Sequence, residues 1–167
     1  MATSNSSNEI PATDFKIVMA FLEEWGLFTP IRPDYNVKGA YSKVVGGALK
    51  LSSLHKGKIS CILTAKPPVL NGIGRLHGLT VASVAERVAI ACAKTVVGED
   101  GDLFLGELSV SYLSSAPRNA QVIVEACVVS SENKRTIVEL IFGSEETGRV
   151  LYLSRATFYS MPLSSRL

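Results

Sequence analysis

The chain has 167 residues, of which 47% are hydrophobic and 19% are charged, and its formal net charge at pH 7 is +2. This balance is typical of one globular domain, because disordered chains carry fewer apolar residues and more net charge. The small net charge, without a stripe of basic residues, argues against a nucleic-acid partner. The most apolar stretch, residues 79–97, is interrupted by Glu86, Arg87 and Lys94, so we expect no membrane span.

The cysteines and histidines are too scattered to predict a metal site. Cys61, Cys92 and Cys127 stand far apart in apolar segments, and the two histidines are His55 and His77. An odd number of widely spaced cysteines in apolar segments favours reduced core thiols in a reducing compartment. We therefore expect no bound metal.

The first 47 residues are predicted to lie outside the main domain. Residues 1–13 lack the apolar run of a signal peptide and the arginines of a transit peptide, and are predicted to be a disordered tail. A short amphipathic helix then begins near Asp14 and ends at Gly26, because apolar residues recur at helical spacing: Phe15, Val18, Met19, Leu22 and Trp25. Residues 30–47 are rich in proline and glycine and are predicted to be an irregular connection.

A hairpin and a long helix are predicted next. Two apolar runs, residues 48–55 and 58–65, flank Lys56-Gly57, which is typical of a β-hairpin turn. Residues 76–97 have the longest helical pattern, almost wholly small and apolar outside one narrow polar stripe, which predicts a helix buried under a sheet. The stripe consists of Thr80, Ser83, Arg87 and Lys94.

Four strand-like segments complete the predicted domain, over residues 104–113, 120–129, 135–143 and 150–160. Turn clusters between them predict a four-stranded antiparallel meander. In the first segment Phe104, Leu108, Val110 and Tyr112 are predicted to share one face. The order of these elements along the chain predicts an α+β fold over residues 48–161. In this fold a curved antiparallel sheet wraps around one long central helix, which is the hotdog arrangement. Residues 162–167 are predicted to be a tail.

The stretch from residue 71 to residue 86, NGIGRLHGLTVASVAE, carries residue types suited to catalysis. Gly78 stands near the predicted helix start, where a backbone N–H has no partner within the helix and where the helix dipole favours negative charge on a carbonyl oxygen. Glu86 is the only acid in the helix, and its helical neighbours Ala82, Ala89 and Ile90 are apolar, which suits general-base chemistry.

This set resembles the motif of the small hotdog acyl-CoA thioesterases, in the branch similar to phenylacetyl-CoA thioesterases. That motif has an Asn, a short link containing glycine, His-Gly-Gly, and an acid nine residues after the histidine. The resemblance implies catalytic roles for Asn71, His77, Gly78 and Glu86, and hydrolysis of an acyl thioester to a free acid and coenzyme A. Coenzyme A is then part of the substrate, and no separate cofactor is expected.

The spacing from His77 to Glu86 predicts a site shared between two chains. Nine helical residues correspond to about 13 Å of rise, so the carbonyl clamp and the acid of one chain cannot reach the same atom. The resemblance implies the same arrangement, in which a homodimer or homotetramer takes Asn71 and Gly78 from one protomer and Glu86 from another.

Each of these residues also has a purely structural interpretation. Glu86 can lie at the edge of the polar stripe and pair with Arg87 or Lys94. His77 can begin the helix and bond to the backbone, Gly78 can serve only the turn, and Asn71 before Gly72 is an ordinary turn dipeptide. It is the joint spacing that favours catalysis.

Two departures from the family pattern support alternative functions. Leu79 replaces the second glycine of the motif, and Leu105 stands where many members have a Ser or Thr; Ser109 and Ser111 lie further along. A non-catalytic acyl-CoA-binding protein is therefore one alternative. A hotdog enoyl-CoA hydratase or dehydratase is another, although the His-Phe-Pro context of that branch is missing.

The candidates for binding the coenzyme A phosphates are Arg155, Lys134 and Arg135. Arg155 matches a basic residue in the last strand of some family members. All three can equally be solvated residues at strand ends.

The last three residues, Ser165-Arg166-Leu167, resemble the S-K-L peroxisomal address, with cytoplasm as the alternative location. We expect a fluorescent protein fused ahead of the native C-terminus to give peroxisomal puncta, because the address would remain readable. Deletion of Leu167 should disperse the puncta, and a diffuse signal from the intact tail would count against peroxisomal targeting.

Overall fold

The computed structural model describes residues 12–24, 30, 33, 38–98 and 101–162. Its contacts divide the chain into two compact units, residues 1–40 and 41–167. In the first unit, helix α1 spans Ala12–Glu24, which confirms the predicted helix. It begins before the predicted start at Asp14, so the predicted disordered tail is wrong for Ala12 and Thr13. The predicted end at Gly26, residues 1–11 of the predicted tail and the C-terminal tripeptide lie outside the described residues. No helix in the described ranges has the length and hydropathy needed to cross a bilayer.

The second unit contains one long helix and six strands. A short helix, α2 (Ala40–Gly46), precedes β1 (Leu49–His55) and β2 (Lys58–Thr64). Helix α3 (Gly78–Val97) follows, and then β3 (Gly101–Tyr112), β4 (Gln121–Glu132), β5 (Arg135–Ser144) and β6 (Val150–Pro162). The hairpin, the long helix and the four later strands confirm the predicted elements. The irregular connection predicted over residues 30–47 is wrong for residues 40–46, because Tyr41, Val44 and Val45 support a helical turn with Val45 buried.

All strand pairs are antiparallel, in the order β1-β2-β4-β5-β6-β3. The predicted meander is therefore wrong at one connection, since β3 pairs with β6 and not with β4. The segment between β3 and β4 crosses one end of the sheet, where the Asn119 N–H donates to Ala65 O and the Ala65 N–H donates to Ala120 O. The turn cluster at Pro117-Arg118-Asn119 thus belongs to a crossover and not to a hairpin.

Helix α3 supplies the central layer of the core. Its buried face packs against the inner faces of the strands, and small side chains along that face let the helix approach the sheet closely. The buried residues of the helix are Thr80, Val81, Val84, Ala85, Val88, Ala89, Cys92 and Ala93. The predicted polar stripe is wrong at Thr80, which is buried and whose hydroxyl lies 3.4 Å from Val69 O.

A register shift in β3 changes which residues face α3. The shift lies between Leu105 and Glu107, so Leu105 pairs with buried Phe158 and Leu108 pairs with buried Ala156. Phe104 pairs with Tyr159 on the outer face and is 59% exposed. Phe104 therefore does not share a face with Leu108, Val110 and Tyr112, because the extra residue at the bulge reverses the alternation.

The three thiols divide by environment. Cys61 and Cys92 are buried, as predicted for core thiols, whereas Cys127 is exposed, so the predicted core position is wrong for Cys127. Burial raises the pKa of the Cys61 and Cys92 thiols, because the thiolate loses its hydration inside the core. These two thiols are structural.

Candidate active site

The loop before α3 is closed by Asn71. Its side-chain oxygen Oδ1 accepts from the backbone N–H groups of Ile73 (3.2 Å) and Arg75 (2.9 Å), and its own N–H donates to Arg75 O (2.7 Å). Both lone pairs of Oδ1 are thereby engaged. The group that Asn71 can offer to a ligand is its Nδ2 amide, which has no acceptor among the described residues.

His77 is the N-cap of α3. Its Nδ1 accepts from the Leu79 N–H at 3.0 Å, and its carbonyl oxygen accepts from the N–H groups of Thr80 (2.9 Å) and Val81 (3.2 Å). The His77 N–H itself donates to Val69 O at 2.9 Å, which fixes the cap against the preceding turn. Because Nδ1 accepts a hydrogen bond, the neutral ring carries its proton on Nε2 and can donate from there.

The cap leaves one donor free in the first turn of the helix. Leu79, Thr80 and Val81 all donate to His77, whereas the Gly78 N–H has no acceptor within the described part of the chain. A helix start carries a partial positive charge as well as unpaired N–H groups. The Gly78 N–H is therefore a donor suited to a carbonyl oxygen that gains negative charge.

Glu86 lies on α3, eight residues after Gly78, which corresponds to about 12 Å along the helix axis. Its side chain is half-buried and has no hydrogen bond or ion pair in the described ranges. The pairing with Arg87 considered from the sequence is absent there, because Arg87 instead donates to the Ser42 hydroxyl at 2.6 Å. Glu86 is thus an unpaired carboxylate, remote from Gly78 of its own chain.

The two positions that depart from the family pattern have different surroundings. Leu79 is 60% exposed, beside an open groove of about 220 Å³ that is also lined by Tyr41, Pro68, Leu70 and His77. Leu105 is partly buried against the core. The register of β3 places Ser109 opposite Arg155 on the outer face, so neither Ser109 nor Ser111 faces α3.

The three basic candidates are not brought together. Lys134 and Arg135 are adjacent at the β4–β5 turn. Arg155 lies on the outer face, four residues along the sheet from that turn, with its Nε 3.8 Å from Glu139 Oε1. Four residues of strand correspond to about 13 Å of backbone, so Arg155 is not adjacent to the other two.

A larger groove of about 580 Å³ lies away from these residues. It follows the second half of α3 and is lined by Leu51, Leu54, Ala91 and Lys94, among others. None of the motif residues lines it. Its size alone is no reason to place the chemistry there.

The six-stranded antiparallel sheet around the long helix α3 defines a hotdog domain. The family model of the thioesterase superfamily matches residues 73–158, which are more than half of the chain. The chain therefore belongs to the thioesterase superfamily, as the resemblance in its motif predicts.

Solved structures show the same fold at low sequence identity. Thioesterase superfamily member 2 of zebrafish aligns with a TM-score of 0.67 and 17% identity, over 75% of this chain and 88% of that one. A mutant phenylacetic acid degradation protein of Thermus thermophilus gives 0.62 and 18%, over 68% and 94%. A Streptococcus mutans protein bound to acetyl-CoA gives 0.60 and 15%, over 68% and 89%. No curated protein matches the chain.

Proposed function

We propose that this chain hydrolyses an acyl thioester of coenzyme A to the free acid and coenzyme A. The observation that carries the proposal is the single free donor at the start of α3, since His77 satisfies the other three N–H groups of the first turn. Membership in the thioesterase superfamily supports the reaction class. The acetyl-CoA bound to the similar Streptococcus mutans protein supports an acyl-CoA as the ligand.

Each residue near the helix start has a role that its contacts allow. The Gly78 N–H polarises the thioester carbonyl and stabilises the oxyanion that forms when the carbonyl is attacked. His77 donates from Nε2, and Asn71 donates from Nδ2, to orient the thioester or the attacking water. The groove beside Tyr41 and Leu79 offers an apolar surface to the acyl group.

Glu86 of a second protomer completes the site. As a general base it removes a proton from water that attacks the carbonyl carbon. As a nucleophile it attacks that carbon itself, and water then hydrolyses the mixed anhydride so formed to the free acid and the regenerated carboxylate. In either case the thiolate of coenzyme A leaves. Because Glu86 lies about 12 Å along the helix from Gly78 of its own chain, a homodimer is the smallest active assembly.

Lys134 and Arg135 are the better candidates for the phosphates of coenzyme A. They are adjacent and exposed, and neither has an ion-pair partner among the described residues. Arg155 would have to leave Glu139 to bind a phosphate. The planar guanidinium of an arginine can donate two parallel hydrogen bonds to phosphate oxygens, and the ammonium of a lysine, on its flexible stem, can approach them from several directions.

Replacing Glu86 by Gln tests the mechanism. We expect the release of coenzyme A from the best substrate of an acyl-CoA panel to fall by about 10²- to 10⁴-fold, because the amide can neither accept the proton nor attack. The exposed Glu125 of β4 provides the matched control. Glu125→Gln should keep the wild-type rate, and a folded Glu86→Gln variant with an undiminished rate would refute the mechanism.

A non-catalytic acyl-CoA-binding function is the second candidate. Two observations favour it: Leu105 is partly buried against the core, and Ser109 and Ser111 face away from α3. None of these three positions therefore places a hydroxyl on the α3 side of β3, where it could hold the attacking water. Thermal stabilisation of the wild-type chain by acyl-CoA without release of free thiol would support this function. Enoyl-CoA in the same panel tests the hydratase alternative.

A further inference from the structure

The structure gives a physical reason for glycine at position 78. Its φ lies outside the left-handed region, so the backbone conformation there is open to any residue. The limit is space, because a Cβ at this position would lie 3.3 Å from Cε1 of Tyr112 and 3.5 Å from its Cζ and hydroxyl oxygen. A Cβ at position 78 would therefore be in tight contact with the Tyr112 ring, which would have to move by a few tenths of an ångström.

Tyr112 is tied both to the helix start and to the core. Its hydroxyl donates to Gly78 O at 3.0 Å. Its ring meets the ring of Tyr152 edge to face, with centroids 5.8 Å apart, and Tyr152 is almost fully buried. The Tyr152 hydroxyl in turn accepts from the Ala116 N–H at 3.1 Å, so the ring against which Tyr112 packs is itself fixed. Tyr112 thus connects Gly78 to the buried Tyr152 through one hydrogen bond and one ring contact.

We propose that Tyr112 is a positioning residue for the thioester carbonyl, an inference that rests on the proposed function. Its hydroxyl holds the first residue of α3 in place, and its ring occupies the space beside the Gly78 α-carbon. The other parts of the ring are accessible to a ligand, since Tyr112 is 54% exposed. The ring and the hydroxyl of Tyr112 therefore both lie against the residue whose N–H is the proposed donor.

Tyr112→Phe tests the hydroxyl alone. We expect kcat to fall about tenfold with KM for the acyl-CoA unchanged, because a small displacement of the donor affects the transition state more than the bound substrate. Tyr159 provides the matched control, because its ring also covers a glycine of β3, Gly106, but in the middle of that strand and away from the start of α3. Tyr159→Phe should leave kcat within twofold, about the precision of such a comparison. An unchanged kcat in Tyr112→Phe would overturn the proposal.

A double substitution separates positioning from simple space filling. Gly78→Ala keeps the N–H but places a Cβ against the Tyr112 ring, so kcat should fall. Adding Tyr112→Leu relieves that contact and at the same time removes the hydroxyl that bonds to Gly78 O. We expect kcat of the double variant to stay low. Recovery to the wild-type kcat would show that Tyr112 only fills space, and would overturn the proposal.

A measurement without substrate keeps this proposal separate from the proposed function. In an NMR spectrum of the ¹⁵N-labelled chain, the Gly78 amide signal should shift or broaden in Tyr112→Phe and stay in place in Tyr159→Phe. If the wild-type chain hydrolyses no thioester, the proposed function fails while this test of Tyr112 remains valid. An unmoved Gly78 signal in Tyr112→Phe would show that the hydroxyl does not position the donor.

Discussion

Mixing a Gly78→Pro variant with a Glu86→Ala variant is expected to restore about a quarter of the wild-type thioesterase activity. Each homodimer should be inactive, because every site lacks either the N–H donor or the acid. In a mixed dimer, one site collects both defects and the other collects neither. Random exchange makes half of the dimers mixed, and each mixed dimer has one intact site of two.

The position of Gly78 makes the proline substitution informative. Gly78 is the first residue of α3, where proline is tolerated because its N–H has no partner within the helix. Proline also adds a Cβ that meets Tyr112, so Gly78→Ala, which adds the Cβ and keeps the N–H, is the matched control. Circular dichroism should show that all variants fold. If subunit exchange is demonstrated and the mixture stays inactive, the site is not shared between chains.

Phe142→Ala is expected to lower the free energy of unfolding by about 3–5 kcal/mol, as for other large aromatic residues truncated in a core. Phe142 has no exposed surface, and its ring meets Tyr152 edge to face with centroids 5.8 Å apart. The substitution removes buried apolar area and leaves a cavity beside Tyr152. Through Tyr112, that cavity also loosens the support of Gly78, so activity should fall together with stability.

Phe104→Ala is the control for Phe142→Ala because it makes the same chemical change on the outer face, where Phe104 is 59% exposed. We expect it to cost less than about 1 kcal/mol. Urea unfolding of both variants at equal protein concentration measures the difference, and equal concentration matters because assembly adds to stability. Equal losses for the two substitutions would contradict the assignment of Phe142 to the core.

Features set by short stretches of sequence were predictable. The hairpin turn at Lys56-Gly57 needs only a glycine with positive φ between two apolar runs, and Gly57 has a φ of 72°. The long run of small apolar residues predicted α3 as the buried helix, and strand-like runs predicted β3 to β6. The motif spacing predicted the family, since Asn71, His77, Gly78 and Glu86 all lie within one short stretch, the loop before α3 and the first half of that helix.

Features that depend on distant residues were not predictable in this way. The place of β3 beside β6 depends on where the crossover after Tyr112 is anchored, and its hydrogen bonds to Ala65 join residues far apart in sequence. The bulge at Gly106, which turns Phe104 outward, likewise depends on the register with β6.

The sequence by itself determined the long helix, the six strands, the family and the residues that gather at the start of α3, but not the short helix α2. Only the tertiary structure showed that His77 satisfies three donors and leaves the Gly78 N–H free, and that the Tyr112 ring lies close beside Gly78. The physical reason is that periodicity and turn chemistry act over a few residues, whereas a free donor and a close ring are defined by groups brought together in folding.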